Sequence, residues 1–227
     1  MFDLTILDCG TTLVDVYKKF GHATDWIQNV LSDCKIDFKI HQVYKHDIPE
    51  LKPNSGYIIT GSADAVYDCK VWMKELEIFI KACADKNCFI LGICFGHQII
   101  ASAFGGKVIK NPLGWELGSN ALNLTSDGLH SDLFKDCERE LLVYESHQDV
   151  VSVLPENAIS LAYNKMGNQS FSMYNRIFGV QFHPEFNREI SQKYLDVRLE
   201  LGADYSSRKV EDSNKSNKII NNFFQLY

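Results

Sequence analysis

A cysteine with glycines two positions away on each side is the first sign of chemistry in the 227-residue sequence. Residues 92–98 read G-I-C-F-G-H-Q and place Cys94 at the centre of a G-x-C-x-G pattern. With serine at the centre, this pattern forms a nucleophile elbow, in which small flanking residues let a strand and a helix approach closely. At a helix N-terminus, free N–H groups and the helix dipole favour the thiolate over the thiol. The segment therefore predicts a nucleophilic cysteine.

Two other interpretations of Cys94 stay open on this segment alone. A cysteine between an apolar strand and the apolar helix predicted over residues 99–104 is also typical of core packing. Cys94 and His97 form a C-x-x-H pair, which is a spacing found at zinc sites. Because no other cysteine or histidine stands at ligand spacing nearby, we predict no metal site.

A second segment supplies the base that a cysteine nucleophile needs. Residues 179–185 read G-V-Q-F-H-P-E and begin with an apolar stretch typical of a strand. His183 and Glu185 are two positions apart, so in an extended chain both project to the same side, and Pro184 stiffens the link. The carboxylate can then hold one ring nitrogen while the other faces the sulfur. Taken alone, a surface histidine beside a solvated glutamate is the simpler explanation of this pair.

Composition limits the classes of protein to which the chain can belong. The 23 basic and 29 acidic side chains give a net charge of −6, which argues against a nucleic-acid-binding surface. No apolar run is long enough for a membrane span, and the N-terminus lacks the basic region of a signal peptide. The seven cysteines are odd in number and include no C-x-x-C pair, so they favour free thiols in a reducing compartment. We expect a cytoplasmic protein.

Hydrophobic periodicity places these motifs in an α/β fold. Apolar or alternating stretches predict strands over residues 4–8, 36–43, 57–60, 89–93, 117–124, 141–145, 158–163, 170–174 and 177–182. A 3.6-residue period predicts helices over residues 23–34, 71–84, 99–104 and 188–201, the last of these being the final regular helix. The short strands after Gly106 predict antiparallel additions to a mostly parallel sheet.

The C-terminal stretch differs from the rest in composition. Residues 204–218 contain seven charged side chains and one aliphatic residue, Val210, which predicts a solvated, mobile connector. The apolar pairs at 219–220 and 223–224 could dock this tail back onto the protein. We therefore predict one domain over residues 1–203, followed by a polar connector and C-terminal tail over 204–227.

The two motifs, in this order along one chain, resemble class I glutamine amidotransferases. These proteins carry a Cys-His-Glu triad on a flavodoxin-like, doubly wound sheet, and the resemblance covers approximately residues 4–200. It implies that Cys94 is the nucleophile, His183 the general acid and base, and Glu185 the carboxylate that orients the imidazole. It further implies that the backbone N–H groups of Gly61 and Phe95 form the oxyanion hole.

The resemblance also implies a binding site for the amino-acid end of glutamine. The matching positions are Gln98 and the backbone groups of Ser146, His147, Gln148 and Asp149. Of these, His147 could touch the ligand, but a structural role at the end of its strand is at least as good an explanation. Residues 115–118 (W-E-L-G) could contact the leaving side of the substrate or form an ordinary loop.

Within the family, the sequence is most similar to free-standing members, including plant-type γ-glutamyl peptidases. The shared runs are I-L-G-I-C-F-G-H-Q-I-I-A and H-Q-D-x-V-x-V-L-P. We expect hydrolysis of the γ-amide of glutamine through a thioester on Cys94, without a cofactor. The alternatives are hydrolysis of γ-glutamyl peptides of the glutathione type and a catalytically silent binding module. The chain has no P-loop pattern, so any synthetase that uses the ammonia would be a separate partner.

Overall fold

The computed structural model describes residues 2–204, 210–213 and 215–226. Within these ranges the strands are β1 (Phe2–Asp8), β2 (Ile36–Gln42), β3 (Gly56–Ile59), β4 (Phe89–Ile93), β5 (Lys107–Lys110), β6 (Glu116–Leu124), β7 (Glu140–His147), β8 (Asp149–Val153), β9 (Ile159–Asn164), β10 (Gly167–Met173) and β11 (Ile177–Val180). The α-helices are α1 (Val14–Phe20), α2 (Ala23–Val30), α3 (Val71–Asp85), α4 (Phe95–Ala103), α5 (Ser126–His130), α6 (Arg188–Glu200) and α7 (Lys218–Phe224).

A nine-stranded sheet organises the described part of the chain in the order β2-β1-β3-β4-β11-β10-β9-β6-β7. The pairings from β2 to β11 are all parallel. The pairings from β11 to β7 are all antiparallel. Strands β5 and β8 form a separate antiparallel pair. The predicted doubly wound α/β fold with antiparallel additions in the C-terminal half is confirmed.

Strand β4 is apolar throughout because both faces of the sheet are covered at this point. Its side chains alternate between the faces: Ile90 belongs to the core beneath α3 and α4, whereas Leu91 and Ile93 belong to the opposite core. Helix α2 contributes Ile27 to that second core, which is where the C-terminal helix α7 also packs. No helix in the described ranges is both long and apolar enough to cross a membrane.

The structure of the C-terminal tail contradicts two of the predictions. Helix α7 follows α6, so the prediction that residues 188–201 form the final regular helix is wrong. In the connector, Val210 and Ser216 are each 1% exposed, so the prediction of a solvated segment is wrong at these positions. Residues 205–209 and 214 lie outside the described residues. The expected docking of the tail is confirmed, because the buried apolar residues of α7 are Ile219, Ile220 and Phe223.

Candidate active site

Cys94 occupies a strained turn between β4 and α4. Its backbone has φ 53° and ψ −101°, a conformation that side-chain-bearing residues rarely adopt. The Cys94 N–H donates to the carbonyl oxygen of Val180 at 2.9 Å, which ties the turn to the end of β11. The thiol therefore stands at the carboxyl end of the central parallel strands and at the N-terminus of a helix.

The two glycines of the motif let the backbone segments meet. A Cβ on Gly92 would lie 2.4 Å from the backbone carbonyl carbon and oxygen of Gly96. A Cβ on Gly96 would lie 2.4 Å from the carbonyl oxygen of Ile59 in β3. Both contacts are shorter than van der Waals packing allows, so the elbow requires glycine at each position.

His183 and Glu185 follow β11, the strand paired directly with β4. His183 Nδ1 and Glu185 Oε1 are 2.8 Å apart, and both side chains are buried. The Phe186 ring stacks on the imidazole with a centroid distance of 4.1 Å. His183 Nε2 has no hydrogen-bond partner among the described residues. The imidazole is thus held from one side by the carboxylate, while its other nitrogen stays available.

Gly61 brings the two motifs into one site. A Cβ built on Gly61 would lie 3.3 Å from His183 Cε1 and 3.7 Å from Cys94 Cβ. The backbone N–H groups of Gly61 and Phe95 donate no hydrogen bond to an acceptor in the described ranges. Two free donors beside the sulfur are what a developing oxyanion needs.

Electrostatics favour a charged imidazole. Burial lowers the pKa of His183, but the negative charges of Glu185 and of a Cys94 thiolate outweigh it and raise this pKa to about 10. At neutral pH this favours the imidazolium form of His183. An imidazolium beside a cysteine can act as the proton donor for a leaving group.

A cavity opens onto Cys94, His183 and Glu185. Its volume is about 50 Å³, small beside the roughly 300–1,000 Å³ of typical ligand pockets. The other lining residues are Gly10, Thr11, Thr12, Leu13, Ala23, Trp26, Gly61, Ser62, Ala63, Ser146, Phe186, Tyr194 and Arg198.

Of the five residues expected to hold the amino-acid end of glutamine, Ser146 lines this cavity and the other four do not. The Gln98 amide nitrogen donates to Gln181 Oε1 at 3.0 Å and to the carbonyl oxygen of Asp149 at 3.4 Å. The Asp149 carboxylate accepts from Tyr67. The Gln148 carbonyl oxygen accepts from the Asn111 N–H. These groups are thus engaged with other parts of the protein, and their predicted contact with substrate stays a prediction.

His147 lies between two buried carboxylates. Its Nε2 is 3.1 Å from Glu116 Oε2 and 3.2 Å from Glu145 Oε2, and its Nδ1 donates to the Asp149 carbonyl oxygen. Burial lowers the pKa of His147, but the two carboxylates raise it well above its ordinary value. Burial and the charge of Glu116 raise the pKa of Glu145 to about 7.

This Glu116–Glu145–His147 cluster has the residue types of a metal site, and one ligand atom from each lies within 4.8 Å of the others. Both ring nitrogens of His147 face oxygen atoms, and the raised pKa favours an imidazolium between the carboxylates when no ion is bound. Sequence periodicity carries no signal for this cluster.

Known proteins resemble the chain in sequence and in fold. Residues 12–199 match the family described as glutamine amidotransferase class-I. Gamma-glutamyl peptidase 4 from Arabidopsis thaliana is 32% identical over 191 residues, covering 82% of this chain and 76% of the relative. A subunit of the glutamine-hydrolyzing GMP synthase of Archaeoglobus fulgidus is 28% identical, covering 80% and 96%. A glutamine amidotransferase structure from Methylobacillus flagellatus superposes with a TM-score of 0.75 at 18% identity, covering 99% and 92%.

Proposed function

The chain belongs to the class-I glutamine amidotransferase family, and on this basis we propose that it hydrolyses the γ-amide of glutamine through a thioester on Cys94. The observation that carries the proposal is the pairing of His183 with Glu185 at 2.8 Å beside the strained Cys94 turn. In support of the proposal, the three side chains follow β4 and β11, which are neighbouring strands.

In the first half of the reaction, the Cys94 thiolate attacks the γ-carbonyl carbon. The carbonyl oxygen becomes an oxyanion, which the N–H groups of Gly61 and Phe95 stabilise; one such donor contributes about 3–4 kcal/mol. The His183 imidazolium gives its proton to the amide nitrogen, the C–N bond breaks, and ammonia leaves. Glutamate remains attached to Cys94 as a γ-thioester.

In the second half, His183 is neutral and accepts a proton from water. The resulting hydroxide attacks the thioester carbon, the C–S bond breaks, and glutamate leaves. The proton that His183 accepted and the thiolate that departs restore the starting pair. Glu185 holds the same imidazole nitrogen throughout and so keeps the other nitrogen directed at the reacting groups.

A second candidate function uses the same steps with a different leaving group. A γ-glutamyl peptide would release an amino acid or peptide in place of ammonia, and the likeness to a gamma-glutamyl peptidase favours it. A silent binding module is the weaker alternative, because a full set of catalytic residue types stands at the motif positions. If ammonia is the product, a separate synthetase partner would use it, as the likeness to one component of a GMP synthase suggests. The seven free cysteines fit the reducing cytoplasm in which we place the protein.

The test is release of glutamate from glutamine and from γ-glutamyl dipeptides by Cys94→Ala and wild-type protein. We expect Cys94→Ala to lower turnover of every cleaved substrate by at least about 1,000-fold, because the nucleophile is lost. Cys69→Ala is the matched control, since Cys69 is exposed and does not line the cavity. Equal turnover by wild type and Cys94→Ala would overturn the proposal. Cleavage of dipeptides alone would favour the peptidase alternative.

A further inference from the structure

Arg198 lies on α6 and borders the same cavity as Cys94 and His183. Among the described residues that line this cavity, it is the one with a permanent positive charge. Its guanidinium carbon lies 4.8 Å from the centre of the Trp115 ring, which is a cation–π contact. The neighbouring wall is formed by Tyr194, one helical turn earlier, whose ring stacks on Phe186.

Arg198 has no carboxylate partner in the described ranges. Its Nε is buried without a hydrogen-bond partner, and no carboxylate of the described residues lies within ion-pairing distance. Burial lowers the pKa of this guanidinium, and the charges of Tyr194 and Cys94 only partly oppose that shift. Arg188 on the same helix is different, because it donates to the Val210 carbonyl oxygen and pairs with Asp212.

A half-buried cation without a carboxylate partner is costly in the empty protein and becomes favourable when an anion enters. The carboxylate in the cavity wall, Glu185, pairs with His183 instead. A guanidinium presents its N–H groups in a fork that matches a carboxylate, and the Trp115 ring restrains this one. The cavity is therefore built to receive a carboxylate beside the reacting thiol.

We propose that Arg198 binds a carboxylate of the γ-glutamyl substrate and so determines which substrates are used. This inference rests on the proposed function. Two parts of such a substrate carry the required group: the α-carboxylate of the γ-glutamyl part, and the C-terminal carboxylate of a leaving amino acid. The position of Arg198 in the cavity accommodates the chemistry of both, and substrates that differ in one carboxylate distinguish them.

The experiment compares wild type with Arg198→Met, which keeps an apolar stem against Trp115 and removes the charge. Substrates are glutamine, γ-glutamylglycine and γ-glutamylglycine amide. We expect kcat/KM to fall by roughly 10- to 100-fold wherever the bound carboxylate is present. A fall for all three substrates assigns the α-carboxylate, and a fall confined to γ-glutamylglycine assigns the leaving group. Unchanged kcat/KM for all three overturns the proposal.

Two controls separate this proposal from the proposed function. Lys193→Met removes one positive charge from the same helix outside the cavity and should leave all three rates unchanged. If the wild type cleaves none of the substrates, the role of Arg198 is tested by ligand binding. Glutamate and γ-glutamylglycine should then raise the Tm of Cys94→Ala. The double variant Cys94→Ala/Arg198→Met should lose this increase for at least one of them. An equal increase in both proteins would overturn the role of Arg198 independently of catalysis.

Discussion

At the scale of single residues, the protonation state of His183 depends on the negative charge of the neighbouring Glu185. The raised pKa of His183 means that the folded state binds this proton more tightly than the unfolded chain. Its contribution to stability is present in full below the unfolded value near 6.5 and is lost as pH rises through about 10. In the proposed mechanism the first half-reaction has the same alkaline limit, because protonation of the leaving nitrogen requires the imidazolium.

Replacing Glu185 should lower the pKa of His183 and so change the pH profile of kcat/KM. Glu185→Gln removes a negative charge that raises the pKa of His183, so the imidazolium persists over a narrower range of pH. We expect the alkaline limb of the kcat/KM profile to move to lower pH and kcat to fall by roughly 10²- to 10⁴-fold. Glu189→Gln, an exposed change on α6, is the control. An unshifted alkaline limb would contradict the assignment of Glu185.

The Glu116–Glu145–His147 cluster predicts a second way in which the stability of the folded protein depends on pH. Glu145 has a pKa of about 7, above the ordinary value of 4.5, so its folding contribution is lost as pH rises from 4.5 through 7. We expect Glu145→Gln to gain stability relative to wild type between pH 5 and pH 8, as measured by urea unfolding midpoints. The exposed Glu140→Gln on the same strand serves as the control. A stability difference that does not change with pH would contradict this assignment.

Sequence reasoning reached some of these residues and missed others for physical reasons. Cys94 and His183 stand in local patterns whose spacing already implies a turn or an extended strand end. Arg198 stands in an ordinary amphipathic helix, and its importance depends on Trp115, which lies far away along the chain. The interior position of Gln98 likewise depends on Gln181, a contact that no local spacing encodes.

At the scale of elements, the strand–turn–helix unit that carries Cys94 is governed by backbone contact. Helix α4 passes so close to β3 that Gly96 touches the carbonyl oxygen of Ile59. This closeness keeps the Phe95 N–H near the sulfur and aligns the N-terminus of α4 with the end of β4. The close approach of the helix to the strand therefore depends on a glycine without side-chain atoms at the contact.

Gly96→Ala should cost more than an alanine substitution at a glycine in open space. The new Cβ would lie 2.4 Å from the Ile59 carbonyl oxygen, so the helix must shift. We expect a loss of about 3 kcal/mol or more in unfolding free energy and a large fall in kcat. Gly105→Ala is the control: it has φ +86° and nothing within 4 Å, so about 1–2 kcal/mol of backbone strain is expected. Equal losses in urea unfolding would contradict the contact argument.

Buried apolar elements were predictable from periodicity, and the more exposed ones were not. Strands β1, β4 and β11 fall where apolar runs indicate them, because burial on both faces leaves a continuous signal. Helices α1 and α5 were missed since each is short and buries one residue, Val16 and Gly128 respectively. The β5–β8 pair was also missed, because its partially exposed strands show no strong alternation.

At the scale of the whole molecule, the C-terminal helix completes one face of the sheet. The α7 residues Ile219, Ile220 and Phe223 are fully buried, and the Phe223 ring meets Phe178 of β11 edge to face at 6.5 Å. Strand β11 leads directly to His183. The tail thus packs beneath the segment that carries the proposed base.

Phe223→Ala should destabilise the protein although the residue lies far along the chain from the site. Removing a buried aromatic side chain costs about 3–5 kcal/mol, which corresponds to a fall of roughly 6–20 °C in Tm for a protein of this size. Ile78→Ala, at a side chain 69% exposed, should change Tm by less than about 2 °C. Similar Tm values for the two variants would show that α7 does not support the sheet.

The position of β4 between β3 and β11 also has a consequence during synthesis on the ribosome. Residues 89–94 emerge long before residues 177–185, and at roughly 5–20 residues per second the interval lasts several seconds. In that interval the β11 side of an apolar strand is unpaired, which exposes the nascent chain to aggregation. The thiol meanwhile lacks its base. The strand order therefore ties assembly of the proposed Cys94–His183 pair to completion of the sheet.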